Sequence, residues 1–188
     1  VKNPEKSQGA WWNLYRMFGL WDLMFSSKTE DKSGLDLVVS DSGFRNAPVC
    51  DFSRDENRKN MQQSLKEVKE DFGNMNYGLK IGDEWIETED KIQSRNSSKL
   101  SEIIGSVSKA DKEHIAAALT KAKKSFETWR TVAPEKRAKI LYDVASQMRA
   151  NLFDLSALVS YESGKTWKEA HADVNEAIDF LNYYGLEM

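Results

Sequence analysis

Three carboxylates, Asp173, Glu176 and Asp179, recur at every third residue and so share one side of a helix. Such a row offers acid–base work or a partner for a cation, although a helix carrying it is most often turning a solvated face outward. The two histidines, His114 and His171, lie in different helical stretches with no cysteine or glutamate ligand pattern around them. A metal site needs three or four convergent ligands, so both read as structural and no metal ligand is assigned. Cys50 stands in Ala47-Pro48-Val49-Cys50-Asp51-Phe52 with no adjacent base and no helix N-terminus aimed at it, the help that a reactive thiolate needs. It reads as an unreactive loop cysteine. Ser163-Gly164-Lys165-Thr166 looks like the end of a phosphate loop, but the upstream glycine is missing and a helix precedes it where a strand is required. Residue chemistry alone therefore describes a soluble α+β domain with no catalytic set and no cofactor-binding residues.

Composition narrows the class further. The 188 residues carry 27 basic and 30 acidic side chains, a net charge of -3, which excludes a nucleic-acid footprint. The 40% of hydrophobic residues suffices for a core. The single cysteine excludes a disulfide framework and fits a reducing, cytoplasmic compartment. No apolar run approaches the ~20 residues of a membrane helix, and no signal peptide is visible. The chain begins at Val1, which fits a processed chain, an incomplete one or a piece cut from something longer.

The elements that must position these groups follow from hydrophobic period. Trp11 to Phe25 reads as a helix apolar nearly all round, with a thin polar stripe at Asn13, Arg16 and Asp22, and such a helix is expected to bury against a partner. Residues 26–35 read as a solvated linker, and Leu35 to Val39 as a possible short strand. Ser53-Arg54-Asp55-Glu56 has capping-box spacing ahead of Met61, Leu65, Val68 and Phe72, with Gly73 as the stop. Leu79–Ile86, Lys91–Ser94 and Glu102–Val107 read as short strands divided by polar turns. After Asp111 the period is helical to the end. Ile115, Ala118, Leu119, Ala122, Phe126 and Trp129 form one stripe, and Pro134 opens a second helix with Ile140, Leu141, Val144 and Met148. Asn151 caps a third helix, ended by Gly164, and Thr166-Trp167-Lys168-Glu169 is a capping box for a fourth with Ala170, Val174, Ile178 and Leu181 inward.

Several of these segments carry a resemblance. Phe44-Arg45-Asn46-Ala47-Pro48, Ile81-Gly82-Asp83-Glu84-Trp85-Ile86, Ala122 to Trp129, and above all Tyr161-Glu162-Ser163-Gly164-Lys165-Thr166-Trp167-Lys168-Glu169-Ala170 with Ala172 to Tyr184 are similar to the beginning of aldehyde dehydrogenases. The similarity is to the L-glutamate γ-semialdehyde (1-pyrroline-5-carboxylate) dehydrogenase branch and covers about residues 44–186. It implies a fold class that is α+β over these residues, mostly helical with a small antiparallel hairpin, and that forms the N-terminal part of an α/β aldehyde dehydrogenase fold. Residues 44–188 would be the N-terminal portion of the cofactor-binding domain, and 1–43 an aromatic-rich extension of unknown role.

The resemblance also implies NAD as cofactor, proline catabolism as the setting, and a homo-oligomer at full length. The family's cofactor loop, catalytic cysteine and general-base glutamate fall beyond Met188, so Cys50 does not stand in for the nucleophile and these residues are not expected to be catalytic alone. One role carries over: Glu176 matches a family glutamate that reaches toward the substrate's α-amino group, where an ammonium entering a partly desolvated pocket needs a charge partner. Two departures stand out, Asn96-Ser97-Ser98 for the usual Asn-Pro and Gly185-Leu186 for the Ala-Arg that commonly follows the paired tyrosines. The alternatives are an interaction or assembly module held to another protein through residues 11–25, and part of a bifunctional proline-utilisation protein. The expected partners are the rest of a dehydrogenase chain or another subunit, with neither nucleic acid nor a membrane span.

Overall fold

A computed structural model describes residues 44–188. The aromatic segment Trp11–Phe25, the linker 26–35 and the run Leu35–Val39 lie outside the described residues. The elements in chain order are α1 (Asp55–Glu70), β1 (Met75–Tyr77), β2 (Leu79–Ile81), β3 (Glu84–Ile86), β4 (Lys91–Arg95), β5 (Ile103–Ser108), α2 (Lys112–Trp129), α3 (Pro134–Ala150), α4 (Leu152–Ser163) and α5 (Trp167–Leu186). They divide into a helical unit, containing 44–70, Pro134–Ser160 and Lys165–Met188, and a sheet-bearing unit, Asp71–Ala133 with Tyr161–Gly164.

In the helical unit α5 begins where the sequence places it. The Thr166 hydroxyl accepts from the Glu169 N–H, and the Glu169 carboxylate accepts from the Thr166 N–H at 3.1 Å, a complete capping box. Its apolar positions then face inward: Ala170, Val174 and Ile178 are buried, and Leu181 packs on their cluster. The partner helix α3 lies along α5 and buries Ala138 and Ala145, while Met148, Leu152, Leu155 and Val159 close the cluster from the side. Small residues at the crossing let the helices approach closely. Two expectations need correcting here. The first helix starts at Asp55, two residues past Ser53, and the entry turn is made by Asp51, whose carboxylate accepts from the Ser53 N–H at 2.9 Å. Asn151 does not use its side chain to cap α4; its amide donates to the Gln147 carbonyl at 2.8 Å, satisfying the end of α3 instead.

The sheet-bearing unit holds two small sheets. β2 and β3 pair antiparallel in the expected hairpin, Leu79 opposite Ile86, around Gly82-Asp83. Gly82 has φ +61°, which a two-residue hairpin turn demands. The other sheet has the order β1-β5-β4, with β5 antiparallel to β4 and parallel to β1. Strand β1 was not apparent from the sequence. It lies so close to β5 that a Cβ at Gly105 would stand 2.3 Å from the Met75 carbonyl oxygen, so glycine is the residue this pairing admits.

Asp111 caps α2 by accepting from the Glu113 and His114 N–H groups at 2.9 Å, and His114 Nδ1 closes the capping box. The apolar stripe of α2 is present, but no residue of the helix is buried; Ile115, Leu119 and Phe126 are each more than half exposed.

Candidate functional site

The three carboxylates of α5 share a side of the helix but not an environment. Asp173 forms an ion pair with Lys165, and this bond, with the nearby charges of Glu169 and Glu176, pushes the lysine's pKa up. Asp179 accepts from the Ala47 N–H at 2.9 Å and from the Asn46 amide at 3.0 Å. Glu176, between them, is exposed, and no hydrogen bond or ion pair holds it among the described residues. Two members of the row are thus committed to structure, and one carboxylate is free to meet a ligand.

The helix face beside Glu176 is covered by the segment that leads into the helical unit. Phe44 packs edge-on against Tyr183 with ring centroids 5.4 Å apart, Asn46 and Ala47 bond to Asp179, and the Pro48 carbonyl accepts from the Asn175 amide at 3.2 Å. Asn175 is a hub. Its oxygen accepts from Arg149 Nη1 at 3.1 Å, and its nitrogen also meets His171 Nδ1 at 3.2 Å. An arginine can only donate, so the amide is oriented with its NH₂ toward His171, whose Nδ1 therefore accepts and whose proton resides on Nε2. A buried asparagine on an otherwise apolar face was the signal in the sequence for this network, and it was missed.

His171 is 3% exposed, flanked by the rings of Phe52 and Phe153. Burial, and secondarily the Arg149 charge, depresses its pKa. The neutral ring is the form the fold accommodates; protonation turns Nδ1 into a donor facing a donor. Because the folded value lies below the unfolded one, its contribution to stability is present above the ordinary imidazole value of about 6.5 and is lost as the pH falls through that value toward the folded one. We expect the melting midpoint of the chain to fall between pH 7.5 and 5.5, and His171→Gln to flatten that fall. An equal slope in the variant would assign the effect elsewhere.

Burial and the Asp51 charge push the Cys50 thiol up, away from the thiolate. No group of three or more His, Cys, Asp or Glu among the described residues is placed to hold a metal, and no described helix is long and apolar enough to cross a membrane. The described residues do not fit a dinucleotide cradle. The turn from β5 into α2 lacks glycine, Asp111 already accepts from the Glu113 and His114 N–H groups at the start of α2, and Thr166 accepts from the Glu169 N–H at the start of α5. The Ser163–Thr166 run is a helix stop: Gly164 has φ +69°, Lys165 pairs with Asp173, and Thr166 is the cap.

The sequence and the fold have known relatives. The sequence pattern of the aldehyde dehydrogenase family matches residues 85–188, more than half of the chain. The chain belongs to the aldehyde dehydrogenase family. A 1-pyrroline-5-carboxylate dehydrogenase of Bacillus pumilus is 46% identical over 145 residues, which are 77% of this chain and 28% of that protein. The structure of 1-pyrroline-5-carboxylate dehydrogenase from Thermus with bound NAD superposes with a TM-score of 0.75 at 42% identity, covering 80% of this chain and 28% of that one. Proline utilization A from Bdellovibrio bacteriovorus gives a TM-score of 0.73 at 30% identity, covering 84% of this chain and 15% of that one. The chain thus spans about 28% of the length of the curated relatives it matches. The resemblance and the fold class read from the sequence are borne out.

The two departures from this aldehyde dehydrogenase pattern have physical reasons. At Ser97, where proline is usual, the N–H donates to the Tyr161 carbonyl at 2.9 Å, a bond proline cannot make. At Gly185, where alanine is common, a Cβ would stand 2.7 Å from the Tyr142 ring. Gly185→Ala should therefore destabilise by about 1–3 kcal/mol through overpacking. A thermal-melt double-mutant cycle checks this, because the alanine should cost less in a Tyr142→Ala background. Equal costs in both backgrounds would clear Tyr142.

Proposed function

We propose that this chain is a segment of an NAD-dependent L-glutamate γ-semialdehyde dehydrogenase acting in proline catabolism, a cytoplasmic enzyme that oxidises the semialdehyde to glutamate. The 46% identity over 145 residues to a 1-pyrroline-5-carboxylate dehydrogenase carries the reading. Residues 44–188 form the N-terminal portion of the cofactor-binding domain, and 1–43 are an extension to it. The remainder of the enzyme and further subunits of it are the natural partners. NAD supplies the hydride acceptor when bound, as it is in the Thermus relative.

The described residues contribute the scaffold and one ligand. Glu176 offers its free carboxylate to the substrate's α-ammonium group, which distinguishes the semialdehyde from plain aldehydes of similar length. The match to proline utilization A supports a second reading, in which the same segment sits within a bifunctional proline-utilisation protein.

The test is an assay for NADH formation. The whole protein containing this segment should oxidise L-glutamate γ-semialdehyde, while the 188-residue chain alone should show no turnover above a heat-killed control. A whole protein inert toward the semialdehyde sinks the reading, and turnover by the isolated chain refutes its assignment as scaffold.

A further inference from the structure

We propose that Asp179 is a positioning residue for the aldehyde pocket: by fastening the Asn46–Pro48 strap along α5 it fixes the flank on which Glu176 stands. The inference rests on the reading of Glu176 given above. The strap meets α5 at Tyr183, then Asp179, then Asn175, in steps of four residues, so it runs down a single face of the helix in the opposite direction. At about 100° per residue, Glu176 lies roughly 60° around the helix from Asp179 and borders that strap. Both Asp179 oxygens are engaged, Oδ1 with the Ala47 N–H at 2.9 Å and Oδ2 with the same N–H at 3.1 Å and the Asn46 amide at 3.0 Å.

This use of the carboxylate has two consequences. Charge-assisted bonds are stronger than neutral ones and hold a segment more than 130 residues away in sequence. A carboxylate spent on the strap also does not compete with Glu176 for the substrate's ammonium. Asn175 makes a further attachment one turn earlier on the same face, with the Pro48 carbonyl, so Glu176 is bracketed by the two clamps in sequence.

The experiment uses the whole dehydrogenase and measures kcat/KM for L-glutamate γ-semialdehyde and for pentanal, which lacks the amino group. Asp179→Ala should lower the semialdehyde-to-pentanal ratio roughly 10-fold, through KM, with kcat on pentanal within about twofold of the unmodified enzyme. Asp179→Asn, which keeps an acceptor for the Ala47 N–H, should restore the ratio to within about threefold. Equal losses on both substrates, or an unchanged ratio, overturn the proposal while leaving the enzyme's assignment standing. An unmodified enzyme inactive on the semialdehyde removes the assignment and this inference together. Should Asp179→Ala fail to fold, Asn46→Ala decides: it keeps the carboxylate, removes one strap bond, and must lower the ratio about two- to fivefold. An unchanged ratio in that variant refutes the role.

Discussion

Glu176→Ala should raise KM for L-glutamate γ-semialdehyde in the whole enzyme proposed above while leaving simple aldehydes nearly untouched. Among the described residues the carboxylate is exposed and held by no hydrogen bond or ion pair, so its removal, which takes away only a nearby charge from Lys165, should not disturb folding. On the proposed role its value would emerge where an ammonium group must leave water beside it. Truncating one partner of a desolvated, hydrogen-bonded charge pair costs roughly 2–5 kcal/mol, or at least about 30-fold in kcat/KM at the lower end. Glu176→Gln should recover little, because the amide keeps the shape and loses the charge. Steady-state kinetics on the semialdehyde and on pentanal check the split. Equal losses on both would make Glu176 a structural residue of the helix surface.

Ile178→Ala should be among the most destabilising single changes in the helical unit. Ile178 is 1% exposed in the cluster with Ala145 and Val174, and Met148, Leu152, Leu155, Val159 and Leu181 pack around it. Removing buried methyl and methylene groups forfeits their transfer energy and leaves a cavity that helices in close contact cannot collapse to fill, a loss of about 2–5 kcal/mol. Urea denaturation followed by circular dichroism measures it. Phe180→Ala on the same helix is the control, since Phe180 is 50% exposed and its truncation should cost far less. Comparable losses at the two positions would show that the core does not lie where Ile178 points.

The inward face of α5 could be read from the order of its residues, because Ala170, Val174, Ile178 and Leu181 recur at the helical period and Thr166 and Glu169 supply a local cap. Capping, turn glycines and amphipathic faces are determined within a few residues of chain, so the hairpin at Gly82-Asp83, the stop at Gly164 and the start at Pro134 were equally legible. Which neighbour a face meets is a long-range question. Strand β1, only three residues long, exists because β5 runs beside it, and nothing within Met75–Tyr77 announces that pairing. Asn151 had two helix ends to serve, and the geometry gave its side chain to the one before it.

The carboxylate row shows the same division most clearly. Spacing alone placed Asp173, Glu176 and Asp179 on one side of a helix, and resemblance singled out Glu176. Only tertiary structure separated their environments, since Lys165 approaches from the turn before the helix and the Asn46–Ala47 strap arrives from more than 130 residues away. Helical period acts along one element, whereas the partners that give a charge its role are brought by chain that the period does not describe.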